Sequence, residues 1–264
     1  MAKASKRPPN IAKPYHTGRA ISGLAARRGW HVFVLSLLSV VFYLFAGQLL
    51  VSLRGFWQVL ANIAVLLAVG GCLFADGIGA GQDDVAFGEI VYTRIESGRT
   101  PSSLDEARCY HHLKGWFTAF VGVLPLLLPA LLFAVIATKQ VYHLGALPSW
   151  VATIERHQEV GLALQYYHQA QPVTTEGVLR VVIRLLLFPY VALFGPDDAG
   201  RMLLMERLSP LLICIIPSFY SVGYLFGPAA RARVHADIAL GKKRQAARER
   251  KNRQKRIEQK DRIV

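Results

Sequence analysis

Long apolar stretches, each wide enough to cross a membrane, constrain the fold of this chain more than any other feature. They cover residues 30–53, 56–75, 116–137 and, more briefly, 210–226. A helix needs about 20 mostly apolar residues to cross a hydrocarbon core about 30 Å thick. Because lipid cannot satisfy backbone polar groups, spans of this length are helical. The sequence therefore predicts an all-α integral membrane protein with about four transmembrane helices.

A fifth apolar stretch, at 178–194, carries two cations. Arg180 and Arg184 are four residues apart, so they share one helical face. A cation at the bilayer centre costs about 2.5–3.5 kcal/mol, but near the end of a helix it reaches the interface cheaply. The stretch is predicted to be an interfacial or re-entrant helix. Arg180 and Arg184 are predicted binding residues, which contact lipid headgroups in the interfacial case. The polar segment before it is predicted to hold a surface helix at 150–169.

The distribution of charge predicts the orientation. The chain has 31 Lys and Arg against 17 Asp and Glu, and 13 of the cations fall within 228–264. Seven more lie in 1–28, where there is no acidic residue. Since basic segments stay in the cytoplasm, an even number of spans is required. We expect a multi-pass plasma-membrane protein with both termini cytoplasmic.

This topology divides the chain into three segments. Residues 1–28 form a basic cytoplasmic arm, which its prolines predict to be mobile. Residues 29–227 form the helical membrane domain, and 228–264 form a basic cytoplasmic tail. Gly241 is predicted to divide the tail into two helices, because glycine is a poor helix former.

The tail is a candidate binding surface. Its cations can hold anionic lipid headgroups, at about 1 kcal/mol for each basic residue near the surface. They can equally contact the phosphates of RNA, ribosomal RNA included, or an acidic protein partner. No aromatic residue follows Phe226, so stacking on bases is excluded. These three partners remain open, and the residues concerned are Lys242, Lys243, Arg244, Arg248, Arg250 and Lys251.

The segment 76–114 is acidic and is predicted to be a polar cytoplasmic loop. The glycines of 76–81 predict a flexible exit from the bilayer. Ser103 and Glu106 have the spacing of a capping box, so a helix should start there and continue into the third span.

The same segment contains a speculative acidic cluster formed by Asp76, Asp83 and Asp84. Carboxylates are the ligands that Mg²⁺ prefers, so the cluster could hold a metal and a phosphate-bearing substrate. The alternative is a solvated acidic loop without a metal.

Nucleotide-binding and nucleophile motifs are absent from the sequence. No catalytic residue, cofactor, metal site or small-molecule ligand is predicted, and enzyme activity is the less favoured class. The leading expectation is a membrane anchor, scaffold or accessory subunit with a polybasic tail. One alternative is a transport or membrane-insertion component, in which Arg180 and Arg184 line a polar notch. Another is a membrane-embedded enzyme that acts on lipid phosphates through the acidic cluster.

Overall fold

A computed structural model describes residues 12–50, 53, 55–139, 174–194 and 198–261. Every regular element within these ranges is a helix, which confirms the all-α prediction. The predicted surface helix at 150–169 lies outside the described residues.

Nine helices are present in the described ranges. Long helices cover the first three apolar stretches and the basic tail, and shorter ones lie between them. In chain order they are α1 (Gly23–Leu50), α2 (Phe56–Glu96), α3 (Ser103–Arg108), α4 (Lys114–Ile136), α5 (Thr175–Leu186), α6 (Phe188–Phe194), α7 (Ala199–Arg207), α8 (Ser209–Leu225) and α9 (Gly227–Asp261).

Three of these helices are long and apolar enough to cross a membrane: Gly23–Gly47 within α1, all of α2 and all of α4. A fourth candidate span is α7 together with α8, two helices bent by 59°. The prediction of about four spans is thus confirmed as three or four. The stretch 178–194 is divided at Leu187 between α5 and α6, which have 12 and 7 residues and are each shorter than a span.

The prediction of a loop after the second apolar stretch is wrong. α2 continues without a break from Phe56 to Glu96, 41 residues. At 1.5 Å per residue it is about 60 Å long, twice the thickness of a hydrocarbon core. Only 56–75 is continuously apolar, so about half of α2 is more than a span requires.

The contacts of the chain divide it into two units. Unit 1 contains Met1–Trp30, Gly71–Phe120 and Ser218–Val264, and unit 2 contains His31–Gly70 and Val121–Pro217. Helices α1, α2, α4 and α8 contribute residues to both units.

In unit 1, glycines bring α2 and α8 into backbone contact. A Cβ at Gly77 would overlap the carbonyl oxygen of Tyr220, and a Cβ at Gly223 would overlap that of Phe74. Gly81 is four residues after Gly77 on the same face, which gives the small-xxx-small spacing of close helix pairs. The predicted flexible exit is therefore a helix–helix interface. Packing against α8 outweighs the poor helix propensity of glycine.

The helix predicted to start at Ser103 is short. Its N-cap is Ser102, whose hydroxyl accepts a hydrogen bond from the N–H of Asp105 at 3.1 Å. The Asp105 carboxylate accepts one from the N–H of Ser102 in return. The capping box is thus one residue earlier than expected, and α3 ends before Cys109 instead of continuing into the third span.

The described part of the N-terminal arm is bound to the protein. The N–H of His16 donates to the carbonyl of Gly88 at 3.1 Å, and the N–H of Gly18 donates to that of Tyr110 at 2.9 Å. α1 already begins at Gly23. The prediction of a mobile arm is therefore wrong for the residues from His16 onward, because backbone donors in this segment find partners on the folded unit.

Unit 2 has an apolar core formed by α4 to α8. Phe133, Ile183 and Met205 are fully buried in it, on three different helices. This core holds the two short helices α5 and α6 against α4, and it places Arg180 close to the Phe133 ring, 5.8 Å from its centroid.

Candidate functional site

The two arginines of the fifth apolar stretch meet a buried carboxylate in unit 2. Glu206, on α7, is 1% exposed. Its Oε1 lies 2.6 Å from Nη2 of Arg184 and 3.2 Å from Nε of Arg180. One turn of α5 thus presents both guanidinium groups to a single acid, as their i, i+4 spacing allows.

A second carboxylate completes this cluster. Glu176 Oε1 lies 2.8 Å from Nη2 of Arg180 and accepts a hydrogen bond from the Thr138 hydroxyl at 2.7 Å. The hydrogen bond from that hydroxyl, and one from the Thr138 backbone N–H, lower the pKa of Glu176. Two cations and two carboxylates therefore balance, and Arg180 and Arg184 are both neutralised by the protein.

A cavity of about 40 Å³ lies elsewhere in unit 2. Ser36, Ser39, Tyr43 and Tyr190 line it together with apolar side chains. Its volume suits a few water molecules. Neither arginine of the fifth apolar stretch contributes to its lining, so this cavity is not the polar notch that the transport alternative requires.

In unit 1, Asp84 is the acceptor at the centre of a buried polar network. Its side chain is 3% exposed, and a carboxylate oxygen lies 2.7 Å from Nζ of Lys114. Arg28 Nη1 lies 2.8 Å from the carboxylate, and the hydroxyl of Tyr224 donates to it at 2.7 Å. Lys114 is 1% exposed, so its ammonium depends on this partner. The network joins α1, α2, α4 and α8.

The structure does not bring the carboxylates of the predicted acidic cluster together. Asp84 is buried between cations, whereas Asp83 beside it is exposed. Neighbouring helical residues point about 100° apart, so the two carboxylates diverge. Within the described residues, no group of three or more His, Cys, Asp or Glu side chains could hold a metal ion, and Asp76 completes none.

The position of Asp84 along α2 gives its depth. It is nine residues beyond Ala75, where the apolar stretch ends, which corresponds to about 14 Å of helix. Asp84 is therefore well separated from the apolar stretch along α2 and is covered by protein. The buried network holds residues of α1, α2, α4 and α8 together within unit 1.

A further carboxylate of α2 holds the base of α9. Glu89 Oε2 lies 3.0 Å from Nη2 of Arg231, and its Oε1 lies 2.7 Å from Nε2 of His235. Arg231 and His235 are four residues apart and so share a face of α9. The buried residues Ala232 and Ala236 pack in the same turns.

Beyond this base, α9 emerges from the protein. The helix passes through Gly241 without a break, so the predicted division of the tail there is wrong. All side chains from 241 to 250 are exposed. They include five of the six predicted binding residues of the tail, namely Lys242, Lys243, Arg244, Arg248 and Arg250, and the sixth, Lys251, follows in the same helix.

Cations dominate the composition of this part of α9. Between 241 and 261 the sequence has ten Lys and Arg against three Asp and Glu. At 100° per residue, the exposed side chains of Lys242, Lys243 and Arg244 point in three directions. The apolar residues of 241–261 are Ala246, Ala247 and Ile257, too few for an apolar stripe.

Sequence reasoning missed the partners of these charges. Glu206 lies in a short segment whose sequence is typical of a surface helix. Lys114 is at the start of a span, where a cation is common. One signal was available: an arginine pair inside an apolar stretch requires a carboxylate nearby. Which acid supplies it depends on tertiary packing, and the sequence does not give that.

Known proteins provide no template for these arrangements. The chain matches no protein-family model, no characterised protein and no solved structure.

Proposed function

We propose that this protein is a membrane-anchored scaffold whose last helix docks a polyanionic partner. The observation that carries the proposal is the contrast within α9: its base is packed on α2 through Glu89, whereas the cations of 241–250 are all exposed and point in several directions. In this proposal the spans are the anchor, and residues 241–261 are the docking element.

Anchoring at the base suits a docking role. Arg231 and His235 bind one carboxylate of α2, and Ala232 and Ala236 are buried in the same turns. A helix that is already formed and oriented loses less conformational freedom when a partner binds. The tail can then act as a preorganised element instead of a flexible arm.

Charge provides the attraction. The distal half has a large excess of cations and no buried carboxylate among its described contacts, unlike the arginines of α5. Such a surface raises the association rate for anionic partners and binds them in a salt-dependent way. By the positive-inside rule, this docking takes place in the cytoplasm, on a protein of the plasma membrane with both termini inside.

The alternatives receive less support. A transport pathway lined by Arg180 and Arg184 would need free cations facing water, but both side chains bind Glu206. An enzyme acting on lipid phosphates would need Asp84 available for a metal, but two cations and a tyrosine hydroxyl occupy this carboxylate.

Retention on heparin, a soluble polyanion, tests the docking role. The full-length protein in nanodiscs of neutral lipid should bind a heparin column and elute only at high salt. A variant with the six predicted binding residues of the tail changed to Gln should elute at nearly the same low salt as empty nanodiscs of neutral lipid. Exchanging Lys for Arg and Arg for Lys at the same positions is the matched control. It keeps the charge and should preserve retention. Equal elution of the Gln variant and the original protein would refute the proposal.

A further inference from the structure

We infer that the partner of the distal α9 helix is RNA, bound through its phosphates, and that the bilayer which anchors the protein is not the partner. The inference rests on the proposed docking function and narrows it to one class of partner. It follows from the direction in which α9 is held and from the placement of its cations.

The direction of α9 follows from two contacts with α2. Gly227, at the start of α9, packs on the backbone of Gly81. Further along, Arg231 and His235 both reach Glu89. Numbering rises along both helices together, so α9 runs parallel to α2. An antiparallel helix would have met residues before Gly81 instead.

α8 follows the same course. Tyr220 contacts Gly77, and Tyr224 contacts Gly81, four residues further along both helices. α8 and α9 thus accompany α2 in the direction in which α2 leaves its apolar stretch. The distal half of α9 is therefore directed away from the lipid.

The helix rise gives the distance. Glu89 is 14 residues beyond Ala75, about 21 Å past the end of the apolar stretch. Lys242 is a further seven residues beyond His235, about 10 Å more. Measured along the two helices, the first distal cation therefore lies about 31 Å beyond the apolar stretch. A typical tilt of about 20° shortens this distance by only about 2 Å.

Screening of charge by salt then excludes the anchoring bilayer as the partner. The headgroup layer accounts for only about 5–8 Å of this distance on each side of the membrane. The Debye length at physiological ionic strength is about 8 Å, so Lys242 lies roughly three screening lengths beyond the headgroups. Attraction of basic residues to anionic lipid falls off within one such length.

The arrangement of cations indicates the shape of the partner. A membrane surface or the face of an acidic protein would contact one side of α9, and a helix adapted to it would concentrate its cations there. Here Lys242, Lys243 and Arg244 point in three directions. Folded RNA can surround a helix with phosphates, and RNA is abundant in the cytoplasm of every cell. The charge distribution therefore favours RNA.

The chemistry of the contact is also restricted. No Phe, Tyr or Trp follows Phe226, so the tail lacks the aromatic side chains on which single-stranded bases stack. Contacts would go to phosphates and ribose of structured RNA, which proteins recognise by shape more than by sequence. Binding should then be strongly dependent on salt, since each neutralised phosphate releases counterions.

The test uses the full-length protein in nanodiscs and a short fluorescent RNA duplex as the probe. Binding is measured by anisotropy as a function of salt, in neutral nanodiscs and in nanodiscs rich in anionic lipid. We expect less than a twofold change in RNA affinity between the two lipids. The Gln variant of the six predicted binding residues should lose about tenfold or more in affinity at physiological salt, with a shallower salt dependence.

A second variant tests the direction of the helix. A flexible Gly-Ser-Gly-Ser insertion after Leu240 should free the distal half to fold back onto the membrane. Anionic nanodiscs should then compete with RNA for it, so that RNA affinity falls at least several-fold relative to neutral nanodiscs. The same dependence on anionic lipid in the protein without the insertion would overturn the inference.

The outcomes distinguish the inference from the proposed function. Binding to heparin without binding to the RNA duplex would overturn the assignment of RNA and leave polyanion docking in place. A duplex of DNA bound more tightly than the RNA would also overturn it. Failure to bind heparin and RNA alike would remove both proposals.

Discussion

The protein has two cation-rich regions that look similar in the sequence and differ in the structure. In α5, Arg180 and Arg184 are largely buried and share the carboxylate of Glu206. In distal α9, the cations of 241–250 are exposed, and cations outnumber acids by more than three to one over 241–261. The first region stabilises the fold, and the second is available to a partner.

The surroundings explain this difference. Taking a charge out of water costs several kcal/mol, which is comparable to the whole free energy of unfolding of a protein. The buried arginines of α5 therefore need a carboxylate partner. Exposed cations keep their hydration and need no partner. A basic residue can therefore serve binding only where the fold leaves it in water, and this cannot be judged from its sequence neighbours.

Removal of Glu206 should have the largest effect on stability. The Glu206→Gln variant leaves two buried guanidinium groups with one remaining carboxylate, that of Glu176. Breaking a buried pair in this way costs about 3–5 kcal/mol. Thermal unfolding of the purified protein in detergent would measure the loss. Arg184→Gln combined with Glu206→Gln should recover part of it, since fewer charges are then unbalanced.

Asp83→Asn is the matched control for this experiment, because it removes an exposed carboxylate. Its effect should stay within about 0.5 kcal/mol. If Glu206→Gln and Asp83→Asn unfolded at the same temperature, Glu206 would not be the residue that keeps α5 in place.

The helical class and most of the spans could be predicted because the length of an apolar stretch is visible in the sequence without any knowledge of tertiary contacts. The second half of α2 was not predictable in the same way. Its glycines at 77 and 81 are as compatible with a flexible turn as with close packing, and the choice depends on the partner helix. Tyr220 and Tyr224 on α8 provide that contact, more than 140 positions later in the chain.

Glycine contacts between α2 and α8 should give the next largest effect. Ala at position 77 would place a methyl group against the carbonyl of Tyr220, so Gly77→Ala should destabilise the protein by about 1–3 kcal/mol. This change would also loosen the frame that directs α9, and so would weaken the contrast between the two cationic regions. Unfolding temperature and heparin elution, measured on the same sample, would report both consequences.

Gly79 provides the control on the same helix. It has open space where a Cβ would be, so Gly79→Ala should be neutral or stabilising by up to about 1 kcal/mol through helix propensity. If Gly79→Ala destabilised the protein as much as Gly77→Ala, the loss of stability would come from the backbone of this segment and not from its contact with α8.

The candidate docking element was partly predictable. Its cations are evident from composition, and five of the six predicted residues are exposed in the structure. Its direction was not, because that depends on Glu89 meeting Arg231 and His235 across 142 and 146 positions of sequence. Local patterns describe what a helix carries, whereas long-range contacts decide where it points.

Neutralising the distal helix should have the smallest effect on stability. Changing the six predicted binding residues to Gln removes like charges that repel one another and breaks no buried contact among the described residues. Surface changes of this kind stay within about 0.5 kcal/mol at each site, and Gln favours helix nearly as well as Lys and Arg. We expect an unchanged or slightly raised unfolding temperature alongside the lost heparin retention. A clear fall in unfolding temperature would place these cations in the folded core, beside Arg180 and Arg184, and would remove the distinction between the two regions.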